Sequence, residues 1–330
     1  MPLRPTLAAL LLSLANATAS PEDLLKKPDS WFRSDEGKEA AANVLSWQSP
    51  EGSWLKNQDT SDKPYTGKAE SLDGTFDNKA TTGELRFLAR AFRVTGDTKC
   101  RDAVIKGFDH ILAAQYPNGG WPQFHPPGKK YHRHITFNDG TMVRLLEFLR
   151  DSRDFKVLDP DRHKKAAAAS DRGVDCIVKC QIVISGKPTV WCAQHDEVTF
   201  APAKARDYEL PSLSGAESAG ILRFLMDLEK PSPDVIRAVK GGVAWFDSAK
   251  LSGYRYGKSG KDRVLEKDPG APPLWARLYD LDTGKPFFCD RDGIKKDSVY
   301  QIGAERRNGY AWYGNWGESF AKDFAKWPHR

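Results

Sequence analysis

The chain has 330 residues, of which 40% are hydrophobic and 28% are charged, so it can bury a large core in one domain or two. Its formal net charge is +6 with scattered lysines and arginines, which argues against a basic tail and favours a polyanionic partner, of which nucleic acid is only one kind. The odd count of five cysteines argues against a complete disulfide framework.

The N-terminal segment differs from the rest of the chain. A basic residue, Arg4, precedes a short apolar run that ends in the small residues Ala17-Thr18-Ala19. This order is typical of a secretory signal peptide, and the apolar run is too short for an ordinary membrane-spanning helix. We therefore expect cleavage after Ala19, a single catalytic domain over residues 20–330, and a secreted or periplasmic protein without a membrane anchor.

Three similar turns recur along the chain. Each begins with glutamine, passes through glycine and ends in tryptophan, over residues 48–54, 115–121 and 181–191. The glutamines lie 67 and 66 residues apart, a spacing that is too long for common solenoid units and fits one helical hairpin plus a long loop. We interpret these glutamines as structural landmarks rather than catalytic groups.

Apolar residues at helical spacing predict helices that flank these turns. Thr81 and Glu84 fit a capping box at the start of one of them. A degenerate fourth copy ends near Gly253, after which aromatic and turn-rich sequence predicts short strands and irregular structure. Four helix pairs predict a mainly α fold of the α/α toroid type, with long loops, a few short strands and an irregular C-terminal part. The predicted helices cover residues 36–48, 81–95, 101–114, 141–149, 162–180, 218–228 and 234–249.

The cysteines leave two interpretations open. Cys176 and Cys180 lie four residues apart in a helical pattern, and Cys192 with His195 follows soon after, so the four could bind zinc. Cysteines at helical spacing are more often buried as small apolar residues. One or two disulfide bridges also remain compatible with the count.

Two acidic loops precede two of the predicted inner helices. Asp77 lies in Thr-Phe-Asp-Asn at 75–78, and Asp139 lies in Thr-Phe-Asn-Asp at 136–139. The two aspartates are expected to occupy equivalent places in successive repeats, at the same end of the bundle. Converging carboxylates can bind a hard cation such as Ca²⁺ or act as acid and base, whereas the alternative is that each aspartate caps its helix.

The corresponding loop of the third repeat is basic. It carries Lys204 and Arg206, and a further basic pair, Arg306-Arg307, lies in a later loop that could close the groove. We expect the two acidic loops and the basic loop to share one rim. Carboxylates beside a guanidinium suit an anionic substrate that is bridged through a metal ion.

Several longer motifs resemble the pectate lyases of polysaccharide lyase family 10. Each motif alone is weak, but together they follow one order from about residue 47 to residue 316. They are Asn-Gly-Gly-Trp-Pro-Gln-Phe at 118–124, Ile-Thr-Phe-Asn-Asp at 135–139, Trp-Cys-Ala-Gln-His-Asp at 191–196, Ala-Pro-Ala-Lys-Ala-Arg at 201–206, Glu-Leu-Pro-Ser-Leu-Ser-Gly at 209–215 and Glu-Arg-Arg-Asn-Gly-Tyr at 305–310. The resemblance implies a helical toroid-type fold, Ca²⁺ dependence and β-elimination of polygalacturonate outside the cell.

Residue roles follow from the same resemblance. Arg206 takes the place of the family's catalytic base, while Asp77 and Asp139 resemble the residues around Ca²⁺ and the substrate carboxylate. Of the two later arginines, Arg306 is the favoured substrate contact. We expect a monomer that binds a pectate chain and neither nucleic acid nor a membrane. The expected substrate-binding set is Lys204, Arg306, Arg307, Asn78 and Tyr310.

An arginine base is chemically demanding. A guanidinium has a pKa of about 12.5 or more, so deprotonation at pH ~9 costs on the order of 5 kcal/mol. An alkaline optimum, together with Ca²⁺ and Lys204 near Arg206, would offset part of this cost.

Other functions remain compatible with the sequence. An inverting glycoside hydrolase on an α/α toroid would use Asp77 and Asp139 as acid and base. A binding protein could hold pectin without cutting it. A toroid with a prenyl-type substrate would need an apolar cavity and acidic metal clusters that the sequence does not suggest.

Overall fold

The computed structural model describes residues 20–330, and the predicted signal peptide lies outside the described residues. No helix within this range is long and apolar enough to cross a membrane. Its α-helices, in chain order, are α1 (Pro21–Leu24), α2 (Asp29–Arg33), α3 (Asp35–Ser46), α4 (Thr82–Thr95), α5 (Thr98–Ala114), α6 (Thr141–Asp151), α7 (Pro160–Cys180), α8 (Gly215–Met226), α9 (Pro233–Ala249), α10 (Ala304–Gly309) and α11 (Glu318–Lys326).

The long helices pack as hairpins in two rows. The hairpins are α4 with α5, α6 with α7, and α8 with α9; α4, α6 and α8 pack in one row, while α3, α5, α7 and α9 pack in the other. The helical prediction is therefore confirmed. The expected count of four helix pairs is wrong, because the segment after α9 forms a β-hairpin and short strands where a fourth inner helix would begin.

The first hairpin shows how local sequence defines its elements. Gly96 ends α4 in the left-handed conformation (φ 76°) that glycine tolerates best, and the Asp97 side chain caps α5 by accepting from the amide of Lys99. The predicted capping box at the start of α4 is wrong. The Thr81 hydroxyl accepts from the amide of Trp54 and donates to the carbonyl of Thr75, so it is not available to cap the helix.

The three glutamine turns have a common hydrogen-bond pattern. Each glutamine amide donates to a carbonyl of its own turn and to a carbonyl of the next helix in the outer row. The tryptophan after each turn is fully buried, and its indole N–H donates to the end of the preceding outer helix. A fourth tryptophan, Trp275, makes the same bond to the carbonyl of Phe246 in α9. The turns thus tie each outer helix to its neighbour, and the fourth copy keeps the tryptophan without the hairpin.

The strands are short and link distant parts of the chain. They are β1 (Ile135–Thr136), β2 (Val183–Ile184), β3 (Lys187–Pro188), β4 (Gln194–His195), β5 (Leu213–Ser214), β6 (Tyr254–Ser259), β7 (Asp262–Lys267), β8 (Trp275–Ala276), β9 (Leu278–Tyr279), β10 (Phe288–Cys289), β11 (Lys295–Lys296) and β12 (Tyr313–Gly314). The longest pair is a hairpin of β6 and β7, while β1–β4, β5–β9 and β8–β12 join loops that are far apart in sequence.

Two hydrophobic clusters support these elements. The larger one fills the space between the helix rows and includes the tryptophans of all four copies. The smaller one lies in the C-terminal part, where Phe288 and Trp312 pack with Tyr208 from the third loop. The basic loop is therefore anchored on the C-terminal part, which brings it toward the acidic loops of the helical part.

Candidate active site

Two single 3₁₀ turns present the acidic loops. They span Asp77–Lys79 and Asn138–Gly140, and in both the middle residue is left-handed, with φ 50° at Asn78 and φ 51° at Asp139. Only asparagine, aspartate and glycine adopt this conformation readily. Asp77 therefore corresponds to Asn138, and Asp139 corresponds to Asn78. The expectation that the two aspartates are equivalent is wrong by one residue, since the order of acid and amide is reversed between the repeats.

The acidic and basic loops meet at one cavity of about 220 Å³. Asp77, Asn78, Asp139 and Arg206 all line it, so the expected common rim is present. The complete lining is Lys56, Asn57, Asp77, Asn78, Gln123, Tyr131, Asn138, Asp139, Ala193, Gln194, Ala205, Arg206 and Glu209.

Asp77 is a buried carboxylate with one engaged oxygen. Its Oδ2 accepts from Lys56 Nζ at 2.5 Å and from Gln123 Nε2 at 2.6 Å. Its Oδ1 is buried without a hydrogen-bond partner. Neither Asp77 nor Asp139 caps its helix, because the N-cap positions of α4 and α6 are Thr81 and Gly140.

Two amide oxygens around the cavity share this unpartnered state. Gln123 Oε1 and Gln194 Oε1 are buried and accept no hydrogen bond within residues 20–330. Buried oxygens normally have a partner, so these three oxygens of one cavity are available to a ligand that enters it. Carboxylate and amide oxygens are the ligands that Ca²⁺ prefers. The donor set at the cavity therefore fits a hard cation.

Asp139 lies at the other side of the cavity beside a partly buried arginine. Arg277 Nη2 lies 3.8 Å from Asp139 Oδ1 and also donates to the buried carboxylate of Glu217. Partial burial and the nearby charge of Glu217 raise the pKa of Asp139, while Arg277 opposes this rise. Although burial alone would lower the pKa of Arg277, the attraction of Glu217 raises it above its ordinary value.

Arg206 is held by one carboxylate. Its Nε and Nη2 donate to Glu209 at 2.7 and 2.6 Å, and its guanidinium lies 5.0 Å from the centre of the Tyr208 ring. These hydrogen bonds raise the pKa of Arg206 above its ordinary value. Burial favours a higher pKa for Glu209, but hydrogen bonds and the charge of Arg206 lower it.

The other predicted substrate contacts occupy different environments. Arg306 is buried in an aromatic cage, 3.8 Å from the centre of the Tyr208 ring, and its Nε and Nη2 lack partners. Tyr310 stacks on the same arginine and donates to Glu209. Arg307 instead pairs with Asp262 of the β6–β7 hairpin, and exposed Lys204 pairs with Asp207 away from the cavity lining. Arg306 is thus better placed than Arg307 for a ligand.

Sequence reasoning missed Lys56, Gln123, Arg277 and Glu209. The first three share a signal that the repeat could have revealed, since each lies two residues after a turn tryptophan. The bond from that indole to the outer helix fixes where the next two residues enter the rim. Ala193 is the third-copy counterpart, and it also lines the cavity.

The zinc hypothesis for the cysteines is wrong. All five cysteines are free and buried. His195 uses both ring nitrogens, because Nε2 accepts from the amide of Cys192 and Nδ1 donates to the carbonyl of Phe200. Burial lowers the pKa of His195 to about 4, so the ring is neutral and serves to fold the third loop.

Within residues 20–330, one further group of potential metal ligands lies outside the cavity lining. It consists of His134, Asp196 and Glu197. Glu197 already pairs with Arg133 and His134, and Asp196 Oδ1 accepts from Thr199. Both carboxylates already accept hydrogen bonds or ion pairs from protein groups, in contrast to the orphaned oxygens of the cavity.

Comparisons with known proteins show the family to which the chain belongs. The sequence pattern of the pectic acid lyase family matches residues 48–321. The chain belongs to the pectic acid lyase family. Its fold is similar to a family 10 polysaccharide lyase from Cellvibrio cellulosa, with a TM-score of 0.83 and 37% identity over 94% of this chain and 98% of that one. An aspartate-to-alanine mutant described as a family 10 polysaccharide lyase from the same organism, in complex with trigalacturonic acid, matches with the same score and identity over 93% and 97%. No protein with a curated description matches the chain.

The comparisons establish the enzyme class. The family match and the two structures together identify a pectate lyase, an enzyme of polysaccharide degradation. The cavity that joins Asp77, Asp139 and Arg206 lies within the matched residues. Asp139 and Arg206 belong to motifs that carry the sequence resemblance, and Asp77 lies in the Thr-Phe-Asp-Asn loop of the preceding repeat.

Proposed function

We propose that the chain cleaves polygalacturonate by Ca²⁺-assisted β-elimination and leaves a 4,5-unsaturated uronate at the new chain end. The cavity supports this most directly, because it combines the unpartnered carboxylate oxygen of Asp77 with the guanidinium of Arg206. The similar lyase in complex with trigalacturonic acid supports the same class of substrate. A polyuronate carries a carboxylate on every sugar, which suits a site of mixed cations and cation ligands.

Asp77 and Asp139 would hold Ca²⁺, with the amide oxygens of Gln123 and Gln194 as further ligands. These oxygens fit the ion because three of the four residues present a buried oxygen without a partner. When bound, Ca²⁺ supplies charge that neutralises the substrate carboxylate and acidifies the adjacent C5–H bond.

Arg206 would first lose a proton from its guanidinium to solvent, and the neutral group would then take the C5 proton. The electron pair of the C5–H bond forms the C4=C5 double bond as the C4–O bond breaks, and the leaving oxygen is protonated from solvent. Two further cations flank the site. Arg277 lies beside Asp139, and buried Arg306 lies over the ring of Tyr310, which donates to Glu209. Fixed cations of this kind stabilise the enolate-like charge that develops beside C5.

The structure also bears on the predicted substrate contacts and on the predicted fold class. Arg306 and Tyr310 are better supported as substrate contacts than Lys204 and Arg307, whose charges are paired away from the cavity. Asn78 lines the cavity beside Asp77 and belongs to the substrate-binding set. The packing of the hairpins in two rows supports the α/α toroid class within one catalytic unit of residues 20–330. A pectate substrate also supports a secreted or periplasmic location, while the monomeric state remains a prediction from the sequence.

The proposal predicts an assay signal that separates it from its rivals. Incubation with polygalacturonate at alkaline pH should raise ultraviolet absorbance, since elimination creates a conjugated double bond and hydrolysis does not. Addition of a chelator should abolish the rise, and excess Ca²⁺ should restore it. Reducing ends that appear without absorbance would instead indicate a hydrolase. Binding without either product would indicate a pectin-binding protein.

A further inference from the structure

Glu209 holds Arg206 in a side-on pair. Glu209 Oε2 accepts from Arg206 Nε at 2.7 Å, and Oε1 accepts from Nη2 at 2.6 Å. Within the described part of the chain, the third guanidinium nitrogen, Nη1, makes no hydrogen bond. A side-on pair of this geometry fixes the guanidinium plane and leaves one nitrogen available to a ligand.

The carboxylate that makes this pair is itself fixed. Glu209 is 7% exposed, and Oε1 also accepts from the hydroxyl of Tyr310 at 3.1 Å. The loop between the partners is tight, because the amide of Glu209 donates to the carbonyl of Arg206 and Ala205 donates back to Glu209. Tyr208 provides the face against which the guanidinium rests. Arg206 thus has little freedom, although nearly half of its side chain is exposed.

We propose that Glu209 is a positioning residue that selects Nη1 of Arg206 as the nitrogen that meets the substrate proton and keeps the resting guanidinium charged. The inference rests on the proposed lyase mechanism, in which Arg206 is the base. Orientation favours proton transfer, because a reacting group that is held in place avoids the entropy of alignment. The charge of Glu209 acts against it, because an anion beside a guanidinium favours the protonated form.

Several other titratable or charged groups face Arg206, and a substitution of Glu209 leaves them in place. Tyr208 and Tyr310 interact with it electrostatically, as does Tyr131 across the cavity. Arg291 and Arg306 flank the Tyr208 ring and add positive charge. Besides Glu209, the charged residues that share the cavity lining with Arg206 are Lys56, Asp77 and Asp139. Among all these, Glu209 is the group that hydrogen-bonds the Arg206 side chain within residues 20–330.

The test is the pH dependence of kcat for Glu209→Gln on polygalacturonate at saturating Ca²⁺. The substitution removes the charge and at least one of the two hydrogen bonds. The midpoint of the alkaline rise should fall by about 1–3 pH units, because an adjacent opposite charge shifts a pKa by that amount. The plateau rate should fall by about 10²-fold, because a base that is no longer aligned reacts more slowly.

Asp207→Asn provides the matched control. It removes the same charge from the same loop, but Asp207 is exposed and pairs with Lys204 rather than Arg206. Its midpoint should move less than that of Glu209→Gln. An unchanged midpoint in Glu209→Gln would overturn the proposal, because a merely structural residue would not shift the pH profile. An unchanged plateau rate would also overturn it, because Glu209 would then have no role in orienting Arg206.

A measurement without turnover separates this inference from the reaction itself. In nitrogen-15 NMR spectra, the Nε–H signal of Arg206, assigned by its loss in Arg206→Lys, should exchange slowly with water and should exchange faster in Glu209→Gln. Equal exchange rates would contradict the pairing in solution.

If Glu209→Gln does not fold, Glu209→Asp retains the charge on a shorter arm, so the plateau should fall while the midpoint stays high. An inactive wild-type enzyme would refute the proposed function, whereas an active one with unshifted variants would refute only the role of Glu209.

Discussion

The two acidic turns place their carboxylates on different backbone positions. Asp77 precedes the left-handed residue of its turn, whereas Asp139 is the left-handed residue itself. Side chains at these two positions leave the backbone in different directions, so the two repeats together approach one point from two sides. The amides Asn78 and Asn138 fill the complementary positions. Aspartate and asparagine thus exchange positions between the two turns. Because of this exchange, one repeated turn places carboxylates on two sides of the cavity.

Isosteric amides are the appropriate test of the two acids. Alanine at position 139 would add strain of about 1–2 kcal/mol in the left-handed region, whereas asparagine adopts it readily. Asp77→Asn and Asp139→Asn should each lower kcat/KM by at least about 10²-fold, because each removes a charge that preorganises the site. Steady-state rates across a Ca²⁺ titration should also show a higher Ca²⁺ requirement. Asp161→Asn, on the exposed face of α7, controls for the change in net charge. Wild-type Ca²⁺ dependence in both cavity variants would contradict the proposed ligands.

Lys56 offers an internal check on the identity of the base. It lines the same cavity as Arg206, and an amine is ordinarily easier to deprotonate than a guanidinium. Its contact with Asp77 at 2.5 Å nevertheless holds it in an ion pair. Arg206→Ala should lower kcat by about 10²–10⁴-fold while trigalacturonate still binds, whereas Lys56→Met should keep the alkaline rise of the rate. Loss of that rise in Lys56→Met alone, seen in pH–rate profiles of both variants, would assign the base to Lys56.

At the scale of the elements, the glutamine turns join successive hairpins. Gln115 Nε2 donates to the carbonyls of Gly119 and Ala169, and Gln48 and Gln181 do the same in their copies. Each glutamine therefore satisfies a carbonyl in the following outer helix as well as one in its own turn. The turns fix the spacing between hairpins. This spacing in turn sets the path of the residues that follow each tryptophan toward the cavity.

Removal of one glutamine should affect stability more than catalysis. Gln115→Ala should lower the free energy of unfolding by about 1–3 kcal/mol, because it leaves carbonyls in part-buried positions without donors. Urea unfolding measures the change, and Gln58→Ala in an exposed loop should stay within about 0.5 kcal/mol of wild type. The kcat of Gln115→Ala should remain near wild type at temperatures where it is folded. A large loss of kcat without loss of stability would contradict a structural role.

The long helices were predictable because their signals are local. Apolar spacing, Gly96 and the prolines near the starts of α7 and α9 lie within the segments that they define. The terminal helices α10 and α11 were missed, since they are short and lie in aromatic sequence that favours strands. Periodicity within one segment could not reveal them, because their helical state depends on packing against the rest of the fold, as α11 does on α8.

Only those site residues could be predicted that occupy defined positions in the sequence repeat. Counting from the glutamines brought Asp77, Asp139 and Arg206 to one rim, and the structure brings all three to the cavity. Arg277 and Glu217 could not be paired from sequence, because they lie 60 residues apart in segments joined by the β5–β9 strand pair. Nor does any spacing show that Glu209 turns back on Arg206 rather than toward solvent.

The whole molecule combines two hydrophobic clusters of different kinds. The helical cluster supports the acidic turns, and the smaller aromatic cluster supports Arg306 and Tyr310 through Trp312. The β5–β9 and β8–β12 strand pairs connect these parts beside Arg277, which lies between Ala276 of β8 and Leu278 of β9. The active site thus depends on the relative position of both clusters, and global stability should limit the conditions in which the enzyme works.

Buried titratable groups determine the pH range of that stability. Burial lowers the pKa of His110 and of His195 from 6.5 to about 4, so both bind a proton in the unfolded chain before they do so in the fold. Their contribution to stability is complete above pH 6.5 and is lost as the pH falls toward 4. Glu84 acts in the opposite sense, because burial raises its pKa from 4.5 to about 7 and its contribution is lost as the pH rises through that range.

Paired variants should separate these opposing contributions between pH 4.5 and 6.5. His110→Phe removes a site that binds a proton only in the unfolded chain. The free energy of unfolding of this variant should therefore rise less steeply with pH, with a slope that is lower than that of wild type by about 1.4 kcal/mol per pH unit. Glu84→Gln removes one proton that only the folded chain binds, so its slope should be steeper by about the same amount. Urea titrations at several pH values measure both slopes. The contact of His110 with the Phe76 ring favours phenylalanine as the neutral replacement. Parallel curves for wild type and both variants would mean that neither group titrates differently on folding, and acid loss of activity would then have to arise at the cavity itself.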